Sequence, residues 1–198
     1  MAELPWVWRV GLAGEGKESR SAAWAGAAAA LCSGVDRPIY PQSFPPDAAL
    51  KHTIVDKARL LSEVPLLSGV PTEVLADLAA LSEVESRPDG DVLFVEGDPA
   101  DAFYVIIEGS VRASVGDSLV GRAGAGVEIG ALAVLDERPR LFTATTETPA
   151  VVLRIDGEDF LYLLEQQPRL ARGVIRHLAS QMRSALGQAE ADRSAAAT

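Results

Sequence analysis

Two glycines, a short helix-forming segment and an arginine lie close together late in the sequence, in a pattern that suits an anion. Gly126 and Gly130 permit a tight backbone turn, and residues 131–135 can form one helical turn with free N–H groups at its start. Arg140 follows and offers a guanidinium, which pairs well with phosphate oxygens. This segment therefore predicts a phosphate cradle that ends in a returning strand.

Length and charge limit the classes of protein that fit. The 198 residues, 48% of them hydrophobic, suffice for one well-buried domain of about 130 to 150 residues plus an appendage. A net charge of -10 argues against nucleic acid, because a phosphate-backbone partner requires clustered Lys and Arg. The single cysteine, Cys32, excludes an intramolecular disulfide and favours a reducing, cytoplasmic setting.

The first fifty residues differ in composition from the rest. They contain all three tryptophans and an Ala-rich run at residues 22–32, which is too short for a membrane span of about 20 residues. A removed targeting sequence stays open as an alternative, although the charged residues before the run do not suit a signal peptide. We expect residues 1–50 to be a flexible extension, residues 51–188 a domain and residues 189–198 a disordered tail.

Hydrophobic periodicity predicts a mainly β domain with flanking helices. Helical spacing from about Leu50 to Pro65 and from Glu73 to Val84 indicates two short helices. Short apolar segments separated by glycine-containing turns then indicate strands at 92–95, 103–107, 111–115, 118–122, 141–146 and 151–155. Their spacing, near ten residues, favours a sandwich or barrel. Asp156 is placed to cap a helix through Gln166, and Pro168 begins one that ends near Gln188.

This order of elements, and the motifs within it, resemble the cyclic nucleotide-binding domain over about residues 58–186. The matching motifs are Leu66 to Leu75, Glu96 to Asp101, Phe103 to Gly109, Gly126 to Arg140, and Asp159-Phe160 followed by Leu163-Leu164 and Pro168. The resemblance implies a double-stranded β-helix, or jelly-roll barrel, with N-terminal and C-terminal helices. It also implies a regulatory sensor for cAMP or cGMP that has no catalytic residues, metal or other cofactor. Another small anion, bound by Arg140 and the cassette amides, is the alternative ligand.

The resemblance also assigns roles within the phosphate cassette. In the family, a Glu after the second glycine holds the ribose 2'-hydroxyl, and an Arg with nearby backbone holds the cyclic phosphate. The implied ligand-binding residues are Gly130, Ala131, Leu132, Ala133, Arg140, Leu141 and Phe142. Ala131 replaces the family's Glu, and Leu141 and Phe142 replace two small residues. A lost hydrogen bond to a charged group should weaken binding roughly 10- to 100-fold.

Alternatives remain for three parts of this site. Arg140 could instead pair with Asp136 or Glu137 at the surface, and Glu128 could replace the missing carboxylate or simply be solvated. If the segment after Pro139 is a strand, Phe142 should face the phosphate pocket with Arg140, whereas Leu141 should lie on the opposite face. The acidic turn at 98–101 is expected to be a solvated turn former rather than a metal site.

Enzymatic chemistry finds little support in the sequence. Metal-dependent barrels need several histidines inside the barrel, yet His52 and His177 lie in predicted helices outside the strand region. Two histidines so placed also offer no nucleophile and base pair, and no Walker-type loop with Lys appears. The sequence therefore favours a regulator over an enzyme.

The C-terminal helix leaves two outcomes open. Its apolar residues recur about every four positions, at Leu170, Val174, Leu178, Met182 and Leu186. This face suits packing on the barrel as a lid, which is the commoner outcome, or pairing in a homodimer. We expect no DNA-binding domain after this helix and no membrane partner. The effector that the domain regulates is therefore expected to be another protein, which the sequence does not identify. The alternative function is a pseudo-sensor, a protein-interaction module that has lost nucleotide binding.

Overall fold

Two short helices precede the β structure. The structure, a computed structural model, describes residues 53–196 and the side chains of residues 53–183. Helix α1 spans Ile54–Glu63 and begins at a capping box, in which Thr53 and Asp56 each accept a hydrogen bond from the other's backbone N–H. A 3-10 turn at Pro65–Leu67 leads to helix α2 at Thr72–Leu81.

Eight strands form two four-stranded antiparallel sheets that pack as a jelly roll. The strands are β1 (Glu83–Arg87), β2 (Val92–Phe94), β3 (Ala102–Glu108), β4 (Ser110–Val115), β5 (Ser118–Gly124), β6 (Glu128–Ile129), β7 (Thr143–Thr146) and β8 (Ala150–Asp156). One sheet has the order β1-β8-β3-β6 and the other β2-β7-β4-β5. The predicted fold class is confirmed, although the two sheets do not close into a barrel.

Strand β3 separates the two halves of the hydrophobic core. Phe103 and Val105 are buried against the helices, whereas Tyr104 and Ile106 are buried between the sheets. This alternation follows from the period of two along a strand. The ring of Phe103 packs edge-on against Phe160 with centroids 4.9 Å apart. Because β3 is buried on both faces, it fixes the helices and the second sheet in one frame.

The C-terminal helices pack on the helix side of this core. Helix α3 (Ala131–Leu135) follows β6, and helix α4 (Gly157–Gln166) begins at Asp156, whose carboxylate accepts from two backbone N–H groups. Helix α5 spans Pro168–Ala196, and its Leu170 and Val174 are buried in the core. At Gly173, an added Cβ would lie 2.4 Å from Val70 Cγ2. Helix α5 therefore packs on the domain, as the lid alternative predicted.

Several predicted boundaries differ from the structure. Helix α2 ends at Leu81 rather than Val84, because the chain turns there into β1, a strand that was not predicted. The two-residue strand β6 was also missed, and β7 begins at Thr143 rather than Leu141. Helix α5 continues to Ala196 and so includes residues that were predicted to form a disordered tail.

Some predictions fall outside the described residues. They are the N-terminal extension at 1–50, His52 and the side chain of Leu186. Homodimer formation through α5 also stays a prediction. Within the part of the chain that the structure describes, no helix is long and apolar enough to cross a membrane.

The turn between β3 and β4 provides a test of the fold. Gly109 has φ +85°, and a Cβ there would lie 2.6 Å from the carbonyl oxygen of Pro149. We expect Gly109→Ala to lower the free energy of unfolding by about 2 to 5 kcal/mol, through a strained φ and a backbone clash. Gly90→Ala is the matched control, since φ is +77° there with no atom within 4 Å, and should cost only about 1 kcal/mol. Equal decreases in the free energy of unfolding for the two variants, measured by urea denaturation, would contradict the close approach of Gly109 to Pro149.

Candidate functional site

The two cassette residues singled out by the sequence meet directly. Gly130 has φ +89°, and a Cβ at this position would lie 2.8 Å from Arg140 Nη1 and 3.0 Å from the Phe94 ring. Glycine is thus required both by the left-handed backbone and by the closeness of the guanidinium. This turn begins helix α3, so Arg140 lies against the start of the helical turn that the sequence predicted.

Arg140 is buried and held by three acceptors. Its side chain is 1% exposed, and Nη2 donates to Asp101 Oδ1 at 3.1 Å and to the carbonyl of Ala102. Nη1 donates to the carbonyl of Gly130 at 3.2 Å, and the guanidinium carbon lies 4.2 Å from the centroid of the Phe94 ring. The alternative of a surface pair with Asp136 or Glu137 is therefore wrong for Arg140.

One guanidinium nitrogen remains without a partner. Arg140 Nε is buried and has no hydrogen-bond partner among the described residues. Burial lowers the pKa of Arg140, while the hydrogen bond and charge of Asp101 oppose that shift. The arginine thus stays a cation whose Nε–H is unpaired. A buried donor without an acceptor destabilises the folded protein by about 1 to 3 kcal/mol, and an acceptor on a bound partner would remove this cost.

Asp101 is a functional residue that the sequence interpretation missed. The sequence interpretation treated it as a solvated turn former, yet it bridges Arg140 and Arg154, the latter at 3.3 Å. Burial alone would raise the pKa of Asp101, but its backbone N–H and the two arginines outweigh that effect and lower it. Asp101 therefore remains ionised at neutral pH and orients the guanidinium.

A cavity, partly open to solvent, lies between the cassette and α5. All of the predicted ligand-binding residues line it: Gly130, Ala131, Leu132, Ala133, Arg140, Leu141 and Phe142. Leu66 and three α5 residues, His177, Leu178 and Gln181, line it from the helix side. The structure thus brings the predicted residues together at one cavity, while ligand binding by them stays a prediction.

Leu141 lies differently from the strand expectation, whereas Phe142 lines the cavity together with Arg140, as the strand expectation had it. Phe142 is buried, and its ring centroid lies 5.5 Å from that of Phe94 between the sheets. Leu141 also lines the cavity, so the prediction that it would lie on the opposite face is wrong. The reason is that residues 139–142 are not in a strand, and the period of two does not apply to them.

Glu128 is half-buried rather than fully solvated. It lies on β6 directly opposite Val105 of β3, lines the cavity, and has an Oε2 atom that is buried without a partner. Burial raises its pKa to about 7. The carboxylate is therefore close to half ionised at neutral pH, and the sequence interpretation missed this because a lone Glu before Ile and Gly gives no sign of burial.

The α5 side of the cavity carries a polar pair. Gln181 Nε2 donates to His177 Nε2 one helical turn earlier, and burial lowers the pKa of His177. A neutral imidazole is therefore expected at pH 7. Among residues 53–183, no group of three or more His, Cys, Asp or Glu side chains could hold a metal ion.

The strands and the cassette around this cavity match a known domain family. The family model of the cyclic nucleotide-binding domain matches residues 84–167, which include both sheets and the cassette. A solved structure, the N-terminal domain of a transcriptional regulator from Streptomyces coelicolor A3(2), is 30% identical with a TM-score of 0.58. The match covers 65% of this chain and 94% of that domain.

Curated relatives contain the same region within longer proteins. The CRP-like cAMP-activated global transcriptional regulator of Mycobacterium tuberculosis is 29% identical over 63% of this chain and 58% of its own length. Glutaminase 1 of Bradyrhizobium diazoefficiens is 31% identical over 60% of this chain but only 19% of its own length. The chain thus corresponds to one part of these relatives.

Glu128 predicts an unusual dependence of stability on pH. Because the folded-state pKa of about 7 exceeds the ordinary 4.5, folding favours the protonated form, and this contribution is lost as pH rises from 4.5 through 7. The loss should reach about 3 kcal/mol at pH 8. We expect urea denaturation to show a smaller decrease between pH 5 and pH 8 in Glu128→Gln. Glu165 is exposed, so Glu165→Gln should show the same pH dependence of stability as wild type. Identical pH profiles for wild type and both variants would contradict the burial of the Glu128 carboxylate.

Proposed function

This chain belongs to the cyclic nucleotide-binding domain family, and we propose that it is a regulatory sensor that binds a cyclic nucleotide weakly in the cavity beneath α5. The observation that carries the proposal is the free Nε–H of Arg140. It is a buried donor on a cation, beside the cassette turn, on a residue that lines the cavity. A phosphate oxygen is the strong acceptor that would complete its hydrogen bonding.

The residues around Arg140 support a weak site rather than a strong one. Ala131 lines the cavity at the start of α3 but offers no carboxylate for a ribose hydroxyl. Asp101 already neutralises the guanidinium from one side, and two carbonyls occupy further donors. The net attraction for an anion is therefore smaller than that of an uncommitted arginine.

A second candidate function rests on the aromatic filling of the site. Phe142 packs on Phe94 between the sheets, and Phe94 also lies under the guanidinium. A cavity whose arginine and aromatics already satisfy one another can exist for packing alone. The chain would then be a protein-interaction module of the same fold, with its ligand site retained only as structure.

The output of the sensor is proposed to pass to a protein effector. The region that matches this chain makes up 19% of Glutaminase 1 and 58% of the mycobacterial regulator, so other segments accompany it in both proteins. By analogy, this domain would act on a separate or attached protein in the cytoplasm. Helix α5 is the natural contact, because it lines the cavity and also carries exposed Ile175 and Met182.

Restoring the missing carboxylate tests the proposed function. We expect wild-type protein to bind cAMP or cGMP weakly in isothermal titration calorimetry, and Ala131→Glu to bind about 10- to 100-fold more tightly, because a hydrogen bond to a charged group contributes about 1.5 to 3 kcal/mol. Arg140→Ala should abolish binding, whereas Arg112→Ala, which removes an exposed arginine of β4, should leave it unchanged.

Thermal unfolding separates the two candidate functions. A ligand that binds only the folded protein raises the melting temperature by mass action. A rise with cAMP or cGMP that Arg140→Ala removes supports the sensor. If neither wild type nor Ala131→Glu responds to millimolar nucleotide, the interaction module is correct.

A further inference from the structure

The cavity contains few polar side chains, and their hydrogen bonds can be followed one by one. Among the described residues, only Glu128, Arg140, His177 and Gln181 contribute polar side chains to its lining. His177 and Gln181 bond to each other, and Arg140 is held except at Nε. Glu128 Oε2 is then the acceptor that has no partner. The lining residues thus include a cation whose Nε–H is unpaired and a carboxylate with one unpaired oxygen.

The Glu128 carboxylate and the Arg140 guanidinium lie towards opposite faces of β6. Glu128 pairs with Val105 of β3, and Val105 packs against the helices. The adjacent Ile129 pairs with Tyr104, which lies between the sheets. Arg140 stacks on Phe94, which belongs to the cluster between the sheets. A ligand that satisfies both groups therefore needs an anion at one end and a hydrogen-bond donor at the other.

We propose that Glu128 is a specificity-determining residue that recognises the base of the nucleotide and selects guanine over adenine. The inference rests on the proposed function, because it requires a nucleotide whose phosphate lies at Arg140. An ionised carboxylate only accepts hydrogen bonds. Guanine presents two adjacent donors on its pairing edge, N1–H and N2–H, and these match the two carboxylate oxygens. Adenine presents one donor beside the N1 acceptor, so one carboxylate oxygen would face a lone pair.

Glu128 is already desolvated at one carboxylate oxygen. Part of the cost of burying it is incurred on folding, since its Oε2 is buried without a protein partner. One guanine donor would supply the hydrogen bond that Oε2 lacks, and the second would reach Oε1. A well-placed bidentate contact discriminates between bases by about 1 to 3 kcal/mol, which corresponds to roughly 5- to 150-fold in affinity.

The experiment is calorimetric titration of the full chain with cGMP and cAMP at pH 8, where Glu128 is mostly ionised. We expect wild type to prefer cGMP by roughly tenfold or more. In Glu128→Gln the preference should vanish or reverse towards cAMP, because an amide offers one acceptor and one donor, as the adenine edge requires. Thermal unfolding confirms that each variant is folded.

Glu108→Gln is the matched control. Glu108 also has a buried Oε1 without a partner, but it does not line the cavity, so its substitution should leave the cGMP preference unchanged. If Glu128→Gln weakens both nucleotides equally, or keeps the cGMP preference, base recognition by Glu128 is overturned while the sensor function stands. If neither nucleotide binds to wild type or Ala131→Glu, both proposals fail.

Discussion

The burial of one cation, Arg140, determines the arrangement of the whole site. Removing a guanidinium from water costs several kcal/mol, which only close partners can offset. The partners come from three separate segments: Asp101 and Ala102 at the start of β3, Gly130 before α3, and Phe94 at the end of β2. The contacts of Arg140 therefore hold the cassette turn against both sheets. The same contacts leave Nε as the guanidinium nitrogen without a partner.

This arrangement explains why the sequence could predict half of the site. Gly130 and Arg140 are recognisable because a left-handed turn and a phosphate-pairing group each demand a particular residue type. Asp101 and Glu128 are not, since an acidic residue in a turn or beside a short strand usually faces water. The half-buried position of Glu128 and the ion pairs of Asp101 result from the register of β3 with β6 and from the position of Arg140. Those are long-range features that no local pattern encodes.

The fold shows the same division between local and long-range information. Long alternating or apolar segments such as β3 and β8 were predicted to within a residue or two at each end. The sequence of β1, with three charged residues in five, gives no strand pattern, and β6 has only two residues. Both strands form because β8 and β3 present unpaired edges to them. The approach of Leu141 and Phe142 to the cavity likewise depends on an irregular segment rather than on a period.

The contact at Gly173 has a consequence for how α5 can move over the cavity. Because Gly173 leaves no room for even a methyl group against Val70, the helix is in close contact with the domain at this point, which is the fulcrum of any tilt that preserves the contact. His177 and Gln181 lie four and eight residues further along, or about 6 and 12 Å along the axis. Any tilt of α5 about the fulcrum displaces Gln181 about twice as far as His177. The far end of the helix would therefore amplify small changes in the filling of the cavity.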